Sequence, residues 1–131
     1  MLIIVTAAVI KNKNNKILIT QRKKTSHNAL KWEFPGGTLE PDESPEQCII
    51  REIKEELNIN IGVIDILKVI YHKYKEKTVM LLVYECKYIS GKLEKIECND
   101  AKWVNPEEFL KFDFAEADLP AVEKIINSHK N

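Results

Sequence analysis

The chain opens with two short β-prone apolar runs, Ile3–Ile10 and Ile17–Gln21, separated by the polar turn Lys11-Asn12-Lys13-Asn14-Asn15. That pattern predicts a β-hairpin. Arg22-Lys23-Lys24 closes the second run, and Thr25–Lys31 reads as a polar loop. Pro35-Gly36-Gly37 then reads as a tight turn whose glycines let the backbone come close to a ligand. After the acidic loop Glu40-Pro41-Asp42-Glu43 the pattern turns helical. Ser44 suits an N-cap, with Pro45 at the first helical position and Gln47 at the third, the capping-box arrangement. A helix is predicted over Pro45–Leu57, with Ile50, Ile53 and Leu57 as its core face. Beyond it, Ile61–Tyr74 and Thr78–Tyr88 read as strands joined around Lys75-Glu76-Lys77, with a turn at Ser90-Gly91 and a short strand at Ala101–Val104. Asn105-Pro106-Glu107-Glu108-Phe109 opens a short capped helix, and Ala115–Asn127 reads as a last helix entered through Asp118-Leu119-Pro120. Strands on both sides of a central helix, with another helix at the end, predict an α/β fold whose mixed sheet lies between helices.

Composition narrows the class. A chain of 131 residues fits one domain spanning 1–131 with a core large enough to need no staples. Its 44% hydrophobic and 31% charged residues are those of a soluble globular protein. No apolar run reaches the length of a membrane span, and MLIIVTAAVI lacks the basic flank and cleavage site of a signal peptide. Cys48, Cys86 and Cys98 form no C-x-x-C pair, so reduced thiols in a cytoplasm are expected and a zinc site is not. Basic and acidic residues balance at 20 each, which argues against binding to a nucleic acid polymer. No Ser, Cys or His is arranged as a covalent nucleophile.

The helix carries the candidate chemistry. Glu52, Glu55 and Glu56 stand at i, i+3 and i+4, within an arc of about 100°. Like charges so placed repel, and a hard divalent cation such as Mg²⁺ or Mn²⁺ removes that cost. A solvated helix face screened by Lys54 and Arg51 accounts for the three glutamates equally well.

The wider spacing separates these alternatives. Gly37, five residues, Glu43, seven residues and Arg51-Glu52-Ile53-Lys54-Glu55-Glu56-Leu57-Asn58-Ile59 resemble the Nudix box, G-x5-E-x7-R-E-U-x-E-E-x-G-U with U a bulky aliphatic residue. Every specified position matches except Asn58, which stands where that family has Gly. Asn is the next most tolerant residue in the left-handed conformation that ends such a helix.

The resemblance extends across nearly the whole chain and implies a Nudix-type α/β/α sandwich. It implies a cation held by Glu52, Glu55 and Glu56 with the Gly37 carbonyl nearby, and Arg51 fixing a carboxylate, with Glu43 as its candidate partner. Glu97, six residues before Trp103, matches a Glu that helps bind metal or positions water in MutT-like members. Arg22 matches a basic residue that contacts phosphates, and Gly36 and Gly37 belong to the substrate-facing turn. Phe112 to Pro120 resembles the C-terminal signature of MutT-type triphosphate pyrophosphohydrolases, in which the residue matching Asp118 contacts the base. An ionised Asp there accepts from the N4 amino group of cytosine or from N1–H and N2–H₂ of guanine; the plainer role for Asp118 is the N-cap of the last helix. Of Trp32, Phe34 and Tyr74, Phe34 is retained as a stacking residue, and His27, His72 and His129 stay unassigned.

The implied reaction is Mg²⁺-dependent hydrolysis of a nucleoside triphosphate to monophosphate and pyrophosphate, with CTP, dCTP or 8-oxo-dGTP as candidate substrates and Glu52 or Glu97 as general base. Dinucleoside polyphosphates, nucleotide sugars and a non-catalytic nucleotide-sensing role are the rivals. The partner is a small-molecule nucleotide, with no membrane, and the chain is a monomer or a homodimer.

Overall fold

The computed structural model describes residues 1–130. Its strands are β1 (Leu2–Lys11), β2 (Ile17–Gln21), β3 (Trp32–Glu33), β4 (Gly36–Thr38), β5 (Asn60–Lys73), β6 (Thr78–Ser90) and β7 (Asp100–Val104). Two α-helices, α1 (Pro45–Leu57) and α2 (Leu119–His129), complete it with 3-10 segments at Pro106–Lys111 and Glu116–Asp118. The sheet runs β3-β2-β1-β6-β5, with β4 paired to β1 and β7 to β2. Only β1 and β6 pair in parallel, from Leu2↔Thr78 to Lys11↔Lys87, so the sheet is mixed. Among the described residues no helix is long and apolar enough to cross a membrane.

Alternation along the strands divides the core in two. Ala7, Val9, Ile17, Ile19, Leu81 and Val83 pack with Ala121, Val122 and Ile125 of α2. Ala8, Ile10, Leu18, Tyr84 and Cys86 pack with Ile49, Ile53 and Leu57 of α1. The result is the expected α/β/α sandwich. Alternation along β5 lets one strand serve both layers, Ile61 facing α1's side and Ile70 that of α2, and the register shifts between Val63/Asp65 and Ile66/Lys68 cancel in their effect on facing. Each fully buried aliphatic side chain contributes roughly 1.5–3 kcal/mol.

Helix α1 begins and ends as its sequence predicts. Gln47 N–H donates to Ser44 Oγ at 3.2 Å, and Ser44 N–H to Gln47 Oε1 at 2.9 Å. Asn58 sits at φ 59°, ψ 30°, and its N–H donates to the Lys54 carbonyl. The phase of the core face differs from expectation. Ile50 is 43% exposed, and the buried row is Cys48, Ile49, Ile53 and Leu57. Glu52 and Glu56 follow Ile49 by three and seven residues, so they flank the buried row rather than oppose it.

Pro35-Gly36-Gly37 is not a turn. Gly36 and Gly37 lie in β4, opposite Ala7 and Thr6 of β1, and the Ala8 N–H donates to the Pro35 carbonyl at 2.7 Å. The glycines serve close approach: a Cβ on Gly36 would lie 1.9 Å from the Thr6 carbonyl oxygen. The last helix also starts later than Ala115. That residue is held extended by donating its N–H to the Trp32 carbonyl at 2.8 Å, next to a bridge between Trp32 and Phe114.

Candidate active site

One arginine organises the acidic face of α1. Arg51 donates through Nε and Nη2 to both carboxylate oxygens of Glu43, at 2.9 and 2.6 Å. Its Nη1 donates to Glu52 Oε1 at 2.8 Å and Glu55 Oε2 at 3.2 Å. The fork on Glu43 is the bidentate geometry that suits guanidinium. These bonds hold the Glu43 carboxyl down at about 2 and raise the Arg51 guanidinium above its ordinary value. Glu52 is pushed up by burial, which outweighs its bond to Arg51.

Glu56 has no such partner. Its Oε2 is buried and accepts no hydrogen bond, alone in this among the buried side-chain oxygens and nitrogens of the described residues. Burial, then the charges of Glu52, Glu33, Glu97 and Glu55, push the carboxyl up to about 8. A buried polar atom left unpaired costs about 1–3 kcal/mol. Beside it, a Cβ on Gly37 would stand 2.3 Å from the Glu52 carboxyl carbon, so a side chain there would displace that carboxylate. The Gly37 carbonyl accepts from Thr6 Oγ at 3.2 Å and from Cys48 Sγ at 3.7 Å, which fixes its direction. Among the described residues no three His, Cys, Asp or Glu side chains are already placed to hold a metal ion, and Arg51 occupies an oxygen of Glu52 and one of Glu55. An orphaned buried oxygen among hard oxygen donors nonetheless fits a divalent cation.

Glu56 also lines two adjoining cavities, of about 310 and 290 Å³, which share Arg22 and Glu33 as well. The first reaches Phe34, Tyr74 and Asp118, the second Glu97 and Cys98. Arg22 donates to Glu33 Oε1 at 3.0 Å and to the His27 carbonyl at 2.6 Å, and so stands where the cavities meet. Asp118 is buried and its Oδ2 accepts the Phe34 N–H at 3.0 Å.

Comparison with known proteins decides the family: a NUDIX domain model matches residues 1–125. The chain belongs to the Nudix family. A CTP pyrophosphohydrolase of Escherichia coli K12 is 36% identical over 119 residues, 91% of this chain and 87% of that protein. An 8-oxo-dGTP diphosphatase of the same strain is 29% identical, over 92% of this chain and 94% of the other. The crystal structure of a MutT protein from Methanosarcina mazei Go1 superposes with a TM-score of 0.87 at 28% identity, covering 99% of this chain and 96% of that one. The chain is thus a MutT-like Nudix hydrolase.

The Nudix box positions Gly37, Glu43, Arg51, Glu52, Glu55 and Glu56 together, and its Asn58 takes the left-handed geometry expected of the missing Gly. Glu97 is exposed on the loop before β7 and faces the same cavity as Glu56. Two expectations change. Asp118 makes no side-chain cap on α2, because its carboxyl is spent on the Phe34 backbone. Nor is it a simple acceptor: burial pushes it up to about 8, which works against the ionised form. Phe34 is 3% exposed, its ring packed on Phe109 and Phe114 at 5.9 and 5.6 Å between centroids, and that leaves no face for stacking.

Sequence reasoning missed Glu33 and set Tyr74 aside. Glu33 is raised by burial against the pull of Arg22, and its position opposite Thr20 in the β2–β3 pair is what aims it at Arg22. Tyr74 lines the cavity with His27 against its edge, ring centroids 5.7 Å apart. Glu33 sits two residues before Pro35-Gly36-Gly37 in alternating strand sequence, and that was the available signal.

Proposed function

We propose that this Nudix hydrolase converts (deoxy)nucleoside triphosphates to monophosphates and pyrophosphate, with cytosine nucleotides and 8-oxo-dGTP as its foremost substrates. One observation carries the reading: Glu56 belongs both to the carboxylate face of α1 and to the cavity that contains Arg22 and Asp118. The names of the two Escherichia coli relatives support the substrate class.

Glu52, Glu55, Glu56, Glu97 and the Gly37 carbonyl would hold Mg²⁺, or Mn²⁺ in its place. A bound cation of this kind supplies neutralisation of the polyphosphate and lowers the pKa of water. Arg51 keeps Glu52 and Glu55 oriented through the Glu43 fork. Arg22 exchanges Glu33 for a phosphate oxygen, to which its guanidinium is equally suited. The attacking water gives its proton to Glu52 or Glu97. Asp118 keeps one oxygen on the Phe34 N–H and offers the other to the base edge. In its ionised form that oxygen accepts from the cytosine N4 amino group, where uracil presents a carbonyl oxygen. The chain acts as one catalytic domain in the cytoplasm.

The test is a release assay for pyrophosphate and phosphate against canonical and oxidised (d)NTPs, ADP-ribose and diadenosine polyphosphates. CTP, dCTP or 8-oxo-dGTP should yield monophosphate and pyrophosphate at the highest kcat/KM. Faster cleavage of ADP-ribose or a dinucleoside polyphosphate would overturn the assignment.

A further inference from the structure

The loop between β6 and β7 is bonded to the end of α1. The Glu94 N–H donates to the Leu57 carbonyl at 3.0 Å, and the Ile96 N–H to the Glu56 carbonyl at 3.1 Å. A helix C-terminus leaves its last carbonyls without intrahelical partners, and here the loop backbone takes two of them. Asn58 adds a tie, its Nδ2 donating to the Lys92 carbonyl at 3.4 Å. The loop leaves β6 at Gly91, at φ 103°, where a Cβ would stand 2.7 Å from the Asn58 carbonyl oxygen. At its far end the Asn99 N–H and Nδ2 donate to the carbonyl and Oε1 of Gln21, at 2.9 and 2.7 Å. Between these anchors stand Glu97 and Cys98, facing Glu56 across a shared cavity.

We propose that residues 91–99 form a strap whose docking on the α1 carbonyls positions Glu97 for hydrolysis, with the Ile96 N–H and Asn58 as its positioning groups. The inference rests on the reading above that Glu97 works in the site. The side chains of Glu94 and Ile96 are exposed, Ile96 by 48%, while Leu93 and Cys98 pack partly buried against the core on α1's side, so backbone donors act beside apolar contacts in holding the strap. One donor ends on the carbonyl of Glu56 itself, so a loosened strap shifts Glu97 relative to the carboxylate it faces.

Ile96→Pro deletes the donor, Ile96→Ala keeps it, and Asn58→Gly preserves the left-handed cap while removing Nδ2. Amide exchange by NMR and turnover of the best nucleotide from the release assay are measured in each. Loss of one net hydrogen bond corresponds to about two- to tenfold, so in Ile96→Pro exchange at the Glu94 N–H should quicken and kcat fall by about that factor, with KM unchanged. Asn58→Gly should move both in the same direction by less, and Ile96→Ala should show at most a small part of the loss. In a Glu97→Ala background Ile96→Pro should lower kcat no further. Unchanged exchange at Glu94 in Ile96→Pro, or a kcat loss that persists undiminished without Glu97, would overturn the proposal. Wild-type turnover in Glu97→Ala alone would overturn the role of Glu97, a separate result, and exchange at Glu94 would still decide whether the strap docks.

Discussion

The carboxylate face of α1 and the cavity beside it meet at Glu56, yet they are built in opposite ways. The face is local: Glu43 to Glu56 lie on one loop and one helix, set by helical period, with Glu43, Glu52 and Glu55 tied by a single arginine. The cavity is assembled from afar, and the bond that shapes its wall joins Phe34 to Asp118, 84 residues apart. Their energetics differ too. Ion pairs as open as Arg51–Glu55 stabilise little, so the network around Arg51 chiefly orients its carboxylates. Asp118 is buried, and the cost of holding a carboxyl there is offset only in part by one backbone donor. On the proposed reading, chemistry depends chiefly on a contiguous stretch being locally correct, with Glu97 added by the loop before β7, whereas selectivity depends on tertiary placement.

The largest effect that could break this division is loss of a carboxylate from the face. Glu55→Gln or Glu56→Gln should lower kcat by about 10²-fold or more in the presence of Mg²⁺, with the folded structure retained by circular dichroism. Near wild-type turnover in either would remove the face from the chemistry. A smaller and different effect is expected across the cavity. Asp118→Ala removes the hydrogen bond that the ionised carboxyl would make to the base and should shrink the advantage of the best nucleotide over UTP by roughly ten- to a hundredfold. A fall in Tm with unchanged kcat/KM ratios would reduce Asp118 to a prop for the Phe34 backbone.

The smallest effect is on stability against pH. Glu56 and Asp118 are both pushed up to about 8, chiefly by burial. Between the ordinary carboxylate range and that value the folded chain holds protons that the unfolded chain has released. Their contribution is therefore full below the ordinary range and is lost as pH rises through about 8. The Tm of the chain in chelator should fall from about pH 5 to about pH 8.5, and Glu56→Gln should make the fall shallower. Equal slopes would mean that Glu56 carries no such strain.

The local region was legible in the sequence almost to the residue. Ser44, Pro45 and Gln47 announce the start of α1, and Asn58 ends it, because caps are matters of neighbouring backbone. Its phase was less legible: Ile49 and Ile50 are both apolar, and only packing against Tyr84 and Ile10 selects Ile49. Gly36 and Gly37 look like a turn because glycine's lack of a side chain serves tight turns and close strand contacts alike. Asp118 occupies a sequence position suited to capping, but a donor from the other end of the chain takes it. Only its place two residues before Pro35 marks Glu33 locally, and nothing local marks Tyr74; the significance of both lies in what the sheet brings beside them.

On the proposed reading, the helix face performs hydrolysis while the cavity selects the base. The most direct test of that division is the ratio of kcat/KM for CTP to that for UTP in Glu56→Gln, measured with enough enzyme to follow the residual turnover. The expected result is a ratio within about twofold of wild type despite a kcat lower by about 10²-fold or more. A ratio that collapses toward one in that variant would contradict the division and make Glu56 part of base selection.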